Sequence, residues 1–380
     1  MMRPTPPPVQ LPVTARKLVE PDISAVSAET PTPAPRPPEY RQLTAAECRK
    51  LALANAPFAD DLDRHSDNDP PACASLRPNA VRQAETSRLV RGYAADELRN
   101  RAAGEALDEF YKLANAEGQY DLLQAADAEV RKQLADALKA EKTGFKGADV
   151  SSIRRKLLDI EAQRAKLEAG IDALNASLRV RLGLAANDPL PLWPADPLRV
   201  KKEDVDVEQA VATGLQYRSD LNLLRVLANG SAGELTNSFL KSINPLLASA
   251  KTGNPLAALI APILGPLTKE PQRQQAATTA RVMSVLQGRE RQADAEIRAA
   301  VVTLKGDRAA VAARALDVKQ VEAKIEELET RQKAGQNVAV ELATAKLNLL
   351  KAKGDLLTAV TDWHAAEVKL RQTMGLLVRE

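Results

Sequence analysis

Large apolar residues recur every seventh position near the end of the chain, at Leu342, Leu349, Leu356, Trp363 and Leu370. Each is followed three residues later by Ala345, Ala352, Ala359, Ala366 or Thr373, and the run closes on Met374-Gly375-Leu376. Far upstream, Ile153, Ile160, Leu167 and Leu174 keep the same step and close on Leu182-Gly183-Leu184. The openings match as well, with Lys142-Thr143-Gly144 before the first run and Lys333-Ala334-Gly335 before the second. A seven-residue apolar step is the seam of packed long helices, and two matched copies make an internal duplication. The pattern therefore predicts an all-α fold of two tandem repeats, each a long antiparallel coiled-coil hairpin.

The segments ahead of the runs extend the duplication. Thr44 with Glu47 has the spacing of a capping box ahead of Leu51 and Leu53, and Asp206 stands before a helix over Val207 to Gln216. Leu43 to Pro57 aligns with Val205 to Ser219 without a gap. Each copy thus reads as a short leading helix, a variable connector, an ascending helix, a tight tip and a return helix. The ascending helices are expected over 87–141 and 271–333. In the second, Val311, Val318, Val321, Ile325 and Leu328 form the seam, with Arg314 interrupting one core position. In the first return helix the seam is Ile153, Leu157, Ile160, Leu167, Ile171, Leu174 and Leu178. The alanines beside the large residues of the last helix allow close approach on a second flank, which implies a wall of helices.

Domain boundaries follow. Residues 1–42 hold eleven of the 24 prolines and read as a stiff, disordered extension; residues 43–198 form the first repeat with its linker, and 199–380 the second. The linker from Asn187 to Pro197 is rich in helix breakers, and Trp193 in it reads as a packing plug.

Composition narrows the function. Aromatics make up only 3% of the 380 residues, and 53 basic against 50 acidic residues leave a net charge of +3. Near balance gives no electrostatic case for nucleic acid or an anionic membrane surface. Met1 to Val13 lacks the apolar core of a secretory signal, and Leu256 to Leu267 is too short for a spanning helix. No catalytic constellation is present. Cys48 reads as a buried helical thiol and Cys73 as a loop thiol, without metal spacing. The acidic cluster Asp60, Asp61, Asp63, Asp67 and Asp69 around His65 fails as a calcium loop, because Ser66 and Ala72 stand where glycine and glutamate are needed, so it reads as a solvated loop. His364 reads as a flank position on a helical surface. No enzyme activity, cofactor or metal is expected. The candidate functional positions are the two tips, Gly144, Phe145 and Asp149 in the first and Gly335, Asn337 and Glu341 in the second, where glycine can take a positive φ at a helix end.

These features together resemble the TolC-like outer membrane efflux proteins over residues 43–377. The resemblance is carried by the duplicated unit, by Arg218-Ser219-Asp220-Leu221 where that family commonly has Arg-Pro-Asp-Leu, by the glycine tips, by the Leu-Gly and Met-Gly ends, and by Ala261-Pro262-Ile263-Leu264-Gly265, which looks like the family's Pro-Ile-Phe segment. It implies a homotrimer in the cell envelope, at the outer membrane or in the periplasm, whose helices form an α-barrel exit duct. The tips would face a periplasmic adaptor coupled to an inner-membrane pump, with no role for nucleic acid. The family inserts a β-hairpin into each connector, but Phe58 to Thr86 and Asn244 to Glu270 have no alternating run of the ~10 residues a membrane strand needs, so little or no β-barrel is expected. A non-conducting envelope scaffold or coiled-coil interaction protein on the same duplicated fold is the alternative.

Overall fold

The computed structural model describes residues 13–15, 21–22, 39–67, 78–142, 150–185, 190–201, 204–229 and 271–379. In chain order the elements are β1 (Val13–Ala15), β2 (Pro21–Asp22), β3 (Glu39–Leu43), α1 (Ala45–Ala54), α2 (Ala59–Asp67), α3 (Pro78–Lys142), α4 (Val150–Arg181), β4 (Leu192–Pro194), β5 (Leu198–Arg199), α5 (Val207–Tyr217), α6 (Ser219–Asn229), α7 (Pro271–Lys333) and α8 (Ala339–Thr373). The ascending helices α3 and α7 run for 65 and 63 residues, roughly 95 Å each at 1.5 Å per residue. α3 begins nine residues before its expected start.

Local chemistry explains where helices begin and end. The backbone N–H of Glu47 donates to Thr44 Oγ1 (3.2 Å), and that of Thr44 donates to Glu47 Oε2 (2.9 Å), the reciprocal pair of a capping box. Asp206 caps α5 by accepting from the N–H groups of Glu208 (2.9 Å) and Gln209 (3.3 Å). The matching sequence ends prove to be one motif. Gly183 and Gly375 take φ +65° and +74°; Leu184 N–H then reaches Arg179 O (2.9 Å) and Leu376 N–H reaches Arg371 O (3.0 Å). These are Schellman caps, which satisfy carbonyls a helix end would leave bare.

The chain folds as two compact units, each drawing on both copies. The first comprises 1–48, 106–204 and 303–368. Here β1 pairs antiparallel with β3 and β3 parallel with β4, Arg41 opposite Leu192, while β2 pairs parallel with β5. Strands at Val13–Ala15 and Pro21–Asp22 correct the expectation of a wholly disordered extension: proline occupies a strand start at Pro21, where its missing N–H does no harm. Trp193 is buried and meets the Tyr40 ring edge-on at 5.5 Å, a plug as expected. α8 lies close to α3: a Cβ at Gly118 would fall 2.3 Å from Leu357 Cδ2, and Gln119 Nε2 donates to Gly354 O at 2.7 Å. In α7 the core takes Val311, Ala315 and Val318, while Arg314 points away and pairs with Asp355 (3.6 Å). The interrupting core arginine is thus a surface one, displaced by its neighbour Ala315.

The second unit comprises 49–105, 205–302 and 369–380. Its apolar core gathers Ala59 and Leu62 of α2, Val90, Ala94 and Ala95 of α3, Leu223, Leu224 and Leu227 of α6, and Val282 of α7. The stretch expected as a solvated acidic loop is therefore the helix α2: Ala59 and Leu62, three apart, face the core and leave Asp60 and Asp61 outside.

Candidate functional site: the second tip and a buried ion ring

Of the six tip positions, Gly144, Phe145 and Asp149 lie outside the described residues. The second tip is fully defined. Gly335 has φ +86° and no heavy atom within 4 Å of where a Cβ would be, so its requirement is backbone conformation alone. The turn repeats the Schellman pattern, with Gln336 N–H to Arg331 O at 3.1 Å and Gly335 N–H to Gln332 O at 3.0 Å. Val338 is the N-cap of α8, its carbonyl accepting from Leu342 N–H at 2.9 Å, so the helix starts at Ala339 and Asn337 stands outside it. Val338 is buried against Leu328, Leu342 and Ala345, which pins the turn from within. Asn337, Val340 and Glu341 are left exposed. Arg331 donates to Gln336 Oε1 (2.8 Å) and stands 3.9 Å from Glu341. The result is a stiff polar knob.

The second feature was not legible as chemistry. Arg218 Nε and Nη2 grip Asp220 at 3.0 and 2.9 Å, and Arg218 Nη1 reaches Glu296 Oε2 at 2.7 Å. Arg289 closes the ring, donating to Asp220 Oδ2 (2.7 Å) and Glu296 Oε1 (3.0 Å). Arg218 also donates to Thr373 O at 3.2 Å, so the ring bolts the end of α8 to the α5–α6 junction. Burial opposes the Asp220 charge, yet the bonds from Arg218 and the nearby Arg289 outweigh it and hold its carboxyl below the usual range. Glu97 of α3, half-buried, is driven the other way: burial, then the Asp220 charge, raises it to about 7 against the pull of Arg218, Arg289 and Arg101. At Gly375 a Cβ would lie 3.1 Å from Arg218 Cα and from Tyr217 O, so the ring and the α8 cap share one tight contact.

His364 corrects its surface reading. It is buried on α8, stacks on Tyr111 at 4.8 Å with planes 8° apart, and meets Trp363 edge-on. Burial lowers its pKa to about 4, and neither ring nitrogen has a hydrogen-bond partner among the described residues, Nδ1 lying 3.9 Å from Glu367. A stacked neutral imidazole here is an aromatic filler. Cys48 is buried and donates to Ala106 O at 3.5 Å; burial first, then Glu109 and Asp196, raise its thiol far above the ordinary value, which leaves it unreactive. Cys73 lies outside the described residues, as do the side chains of His65 and Asp67. Among the described residues, no group of three or more potential ligands could hold a metal, and no helix is long and apolar enough to cross a membrane. The connector from 244 to 270, and with it the expected absence of membrane strands there, lies outside the described residues.

Two pairs of long helices, the glycine turn at Gly335 and two small sheets give the chain the TolC-like outer membrane channel fold. Three solved structures carry the likeness. The CmeC outer membrane channel of Campylobacter jejuni matches with a TM-score of 0.61 at 13% identity over 87% of this chain and 85% of that one. VceC from Vibrio cholerae matches at 0.57 and 13%, over 87% and 95%, and the open state of the Neisseria gonorrhoeae MtrE channel at 0.58 and 11%, over 87% and 88%. No family model and no curated protein matches the sequence.

Proposed function

We propose that the chain is the duct-forming component of a trans-envelope export system, located in the cell envelope and assembling as a homotrimer. The observation that carries this is the likeness to outer membrane channels over 87% of the chain, embracing both hairpins rather than one. Those neighbours are channels, which fits a chain that encloses a path and does no chemistry of its own. In this reading the tips face a periplasmic adaptor, which couples the duct to an inner-membrane pump. The second tip suits that task, since Val338 stiffens it from inside while Asn337, Val340 and Glu341 stay exposed. The duplication supports the trimer, because three chains of two hairpins make a six-hairpin ring. The test is light scattering of the purified full chain followed by planar-bilayer recording. A trimer giving discrete conductance steps is expected. A trimer with no conductance would favour a non-conducting scaffold, and a monomer would overturn the reading.

A further inference from the structure

The first unit holds an open cleft of about 490 Å³ on α3, walled on one side by α4 and on the other by α8. Its floor is apolar, made by Leu122, Leu123 and Val130 of α3, Ile160 of α4, and Leu347 and Leu350 of α8. Val130 is fully buried, but the other five are only half-buried. Aliphatic side chains between helices ordinarily pack to the density of an organic crystal, so this opening is an exception. It begins where α3 and α8 part. At Gly118 a Cβ would fall 2.3 Å from Leu357 Cδ2, and Gln119 closes that end of the cleft by donating to Gly354 O (2.7 Å) and Thr358 Oγ1 (3.0 Å). One turn nearer the tip α8 carries Leu350 in place of glycine, then Leu347, and both line the opening. The α4 wall is fastened to α3 by Glu161 with Arg131 (2.8 Å).

Four charged side chains stand at the edge. Asp355 is drawn toward Arg314 of α7 (3.6 Å). Lys156 and Asp159 on α4 and Lys351 on α8 are exposed and enter no ion pair among the described residues. Counting Arg314, three cations oppose two carboxylates, so the rim carries positive charge in excess.

We propose that this cleft is a binding site for a small apolar anion, a compact hydrophobic body bearing one carboxylate or sulfonate, seated on the leucine floor with its charge between Lys156 and Lys351. The volume lies within the range of about 300–1,000 Å³ found for small-molecule sites, which are likewise mostly apolar, pre-formed and furnished with few polar groups. A single helical turn, about 10 Å across and 5.4 Å long, would occupy nearly all of it, so the cleft suits a small molecule better than a partner's helix laid along it. The site lies inside one chain and holds whether or not the chain assembles as proposed above.

The test is protection of a cysteine at the cleft from a maleimide, in the full chain with Cys73→Ser, Cys48 being buried and unreactive. Gln163→Cys places the thiol on the α4 wall, and Ala323→Cys, exposed on α7, is the control. Naphthalene-2-sulfonate is the probe. At about ten times its half-protecting concentration it should slow labelling of Gln163→Cys about tenfold by mass action and leave Ala323→Cys unchanged. Adding Lys156→Gln and Lys351→Gln, which alter only exposed side chains, should raise the half-protecting concentration about tenfold through loss of two charge-assisted contacts. Equal protection by a naphthyl trimethylammonium cation, or protection indifferent to the two lysine substitutions, overturns the anion assignment. Equal slowing at Ala323→Cys overturns the site, since the probe then coats apolar surface at large. No slowing at Gln163→Cys overturns it as well, and leaves the cleft to a protein segment.

Discussion

The two stretches that follow the leading helices occupy corresponding places in the duplicated sequence, and both use charge, to opposite effect. In the second copy Arg218 and Asp220 enter a buried ring with Arg289 and Glu296, side chains 7% and 5% exposed at its centre. The gap-free alignment puts Ala56 and Phe58 of the first copy at those places. Phe58 is exposed and holds φ +63°, a strained conformation for an aromatic residue, and charge appears only farther out, where Arg99 holds Asp60 at 3.1 Å and Asp63 at 2.5 Å on the surface. The corresponding stretches share their helices and their glycine-ended C-termini while their electrostatics differ. Buried charge costs desolvation and therefore demands complete pairing; surface charge makes no such demand.

The largest effect should come from opening the ring. Asp220→Ala strands Arg218 and Arg289 without their shared acceptor and should cost about 3–5 kcal/mol in urea unfolding; a loss below about 1 kcal/mol would mean that the buried ring behaves like the surface cluster. Next comes the cap that leans on it. Gly375→Ala meets both a positive φ and backbone atoms at 3.1 Å, and should cost about 2–3 kcal/mol, against about 1 kcal/mol for Gly335→Ala, where only φ is at stake. Equal losses would show that the close approach relaxes freely.

The units should also answer pH in opposite senses. Glu97 titrates near 7 in the fold against 4.5 ordinarily, so the native state holds its proton longer; its contribution is full below pH 4.5 and is lost as pH rises through about 7. His364 titrates near 4 against 6.5, so its contribution is full above pH 6.5 and is lost as pH falls through about 4. Melting temperatures of Glu97→Gln should therefore flatten the neutral side of the stability profile, and those of His364→Phe the acid side. A wild-type profile unchanged by both substitutions would refute the assignment. The smallest effect belongs to the surface: Arg99→Ala should cost about 1 kcal/mol or less and should lose most of that effect in high salt.

What could be read along the chain was whatever local spacing encodes. The heptads at Leu342 to Leu370 and Ile153 to Leu174, the Thr44–Glu47 box, the Asp206 cap and the Gly183 and Gly375 ends each depend on residues within a few positions of one another. The ion ring joins Arg218 and Asp220 to Arg289 and Glu296 about seventy residues away, and no local pattern links the two pairs, so Arg218 and Asp220 registered only as a family-like segment. His364 was misread because its shelter, Tyr111, belongs to the other copy. α2 was misread because four of its nine residues, Asp60, Asp61, Asp63 and Asp67, are acidic, and the apolar pair Ala59 and Leu62 is too short a signal to outweigh them. The strands at Val13 and Pro21 exist through partners at Arg41 and Leu198, which no local pattern announces.

Each compact unit is assembled from both halves of the chain, and that has a genetic consequence. Neither half, expressed alone, carries a complete core, so a gene divided in the linker between the hairpins should give two products that fold only when made together.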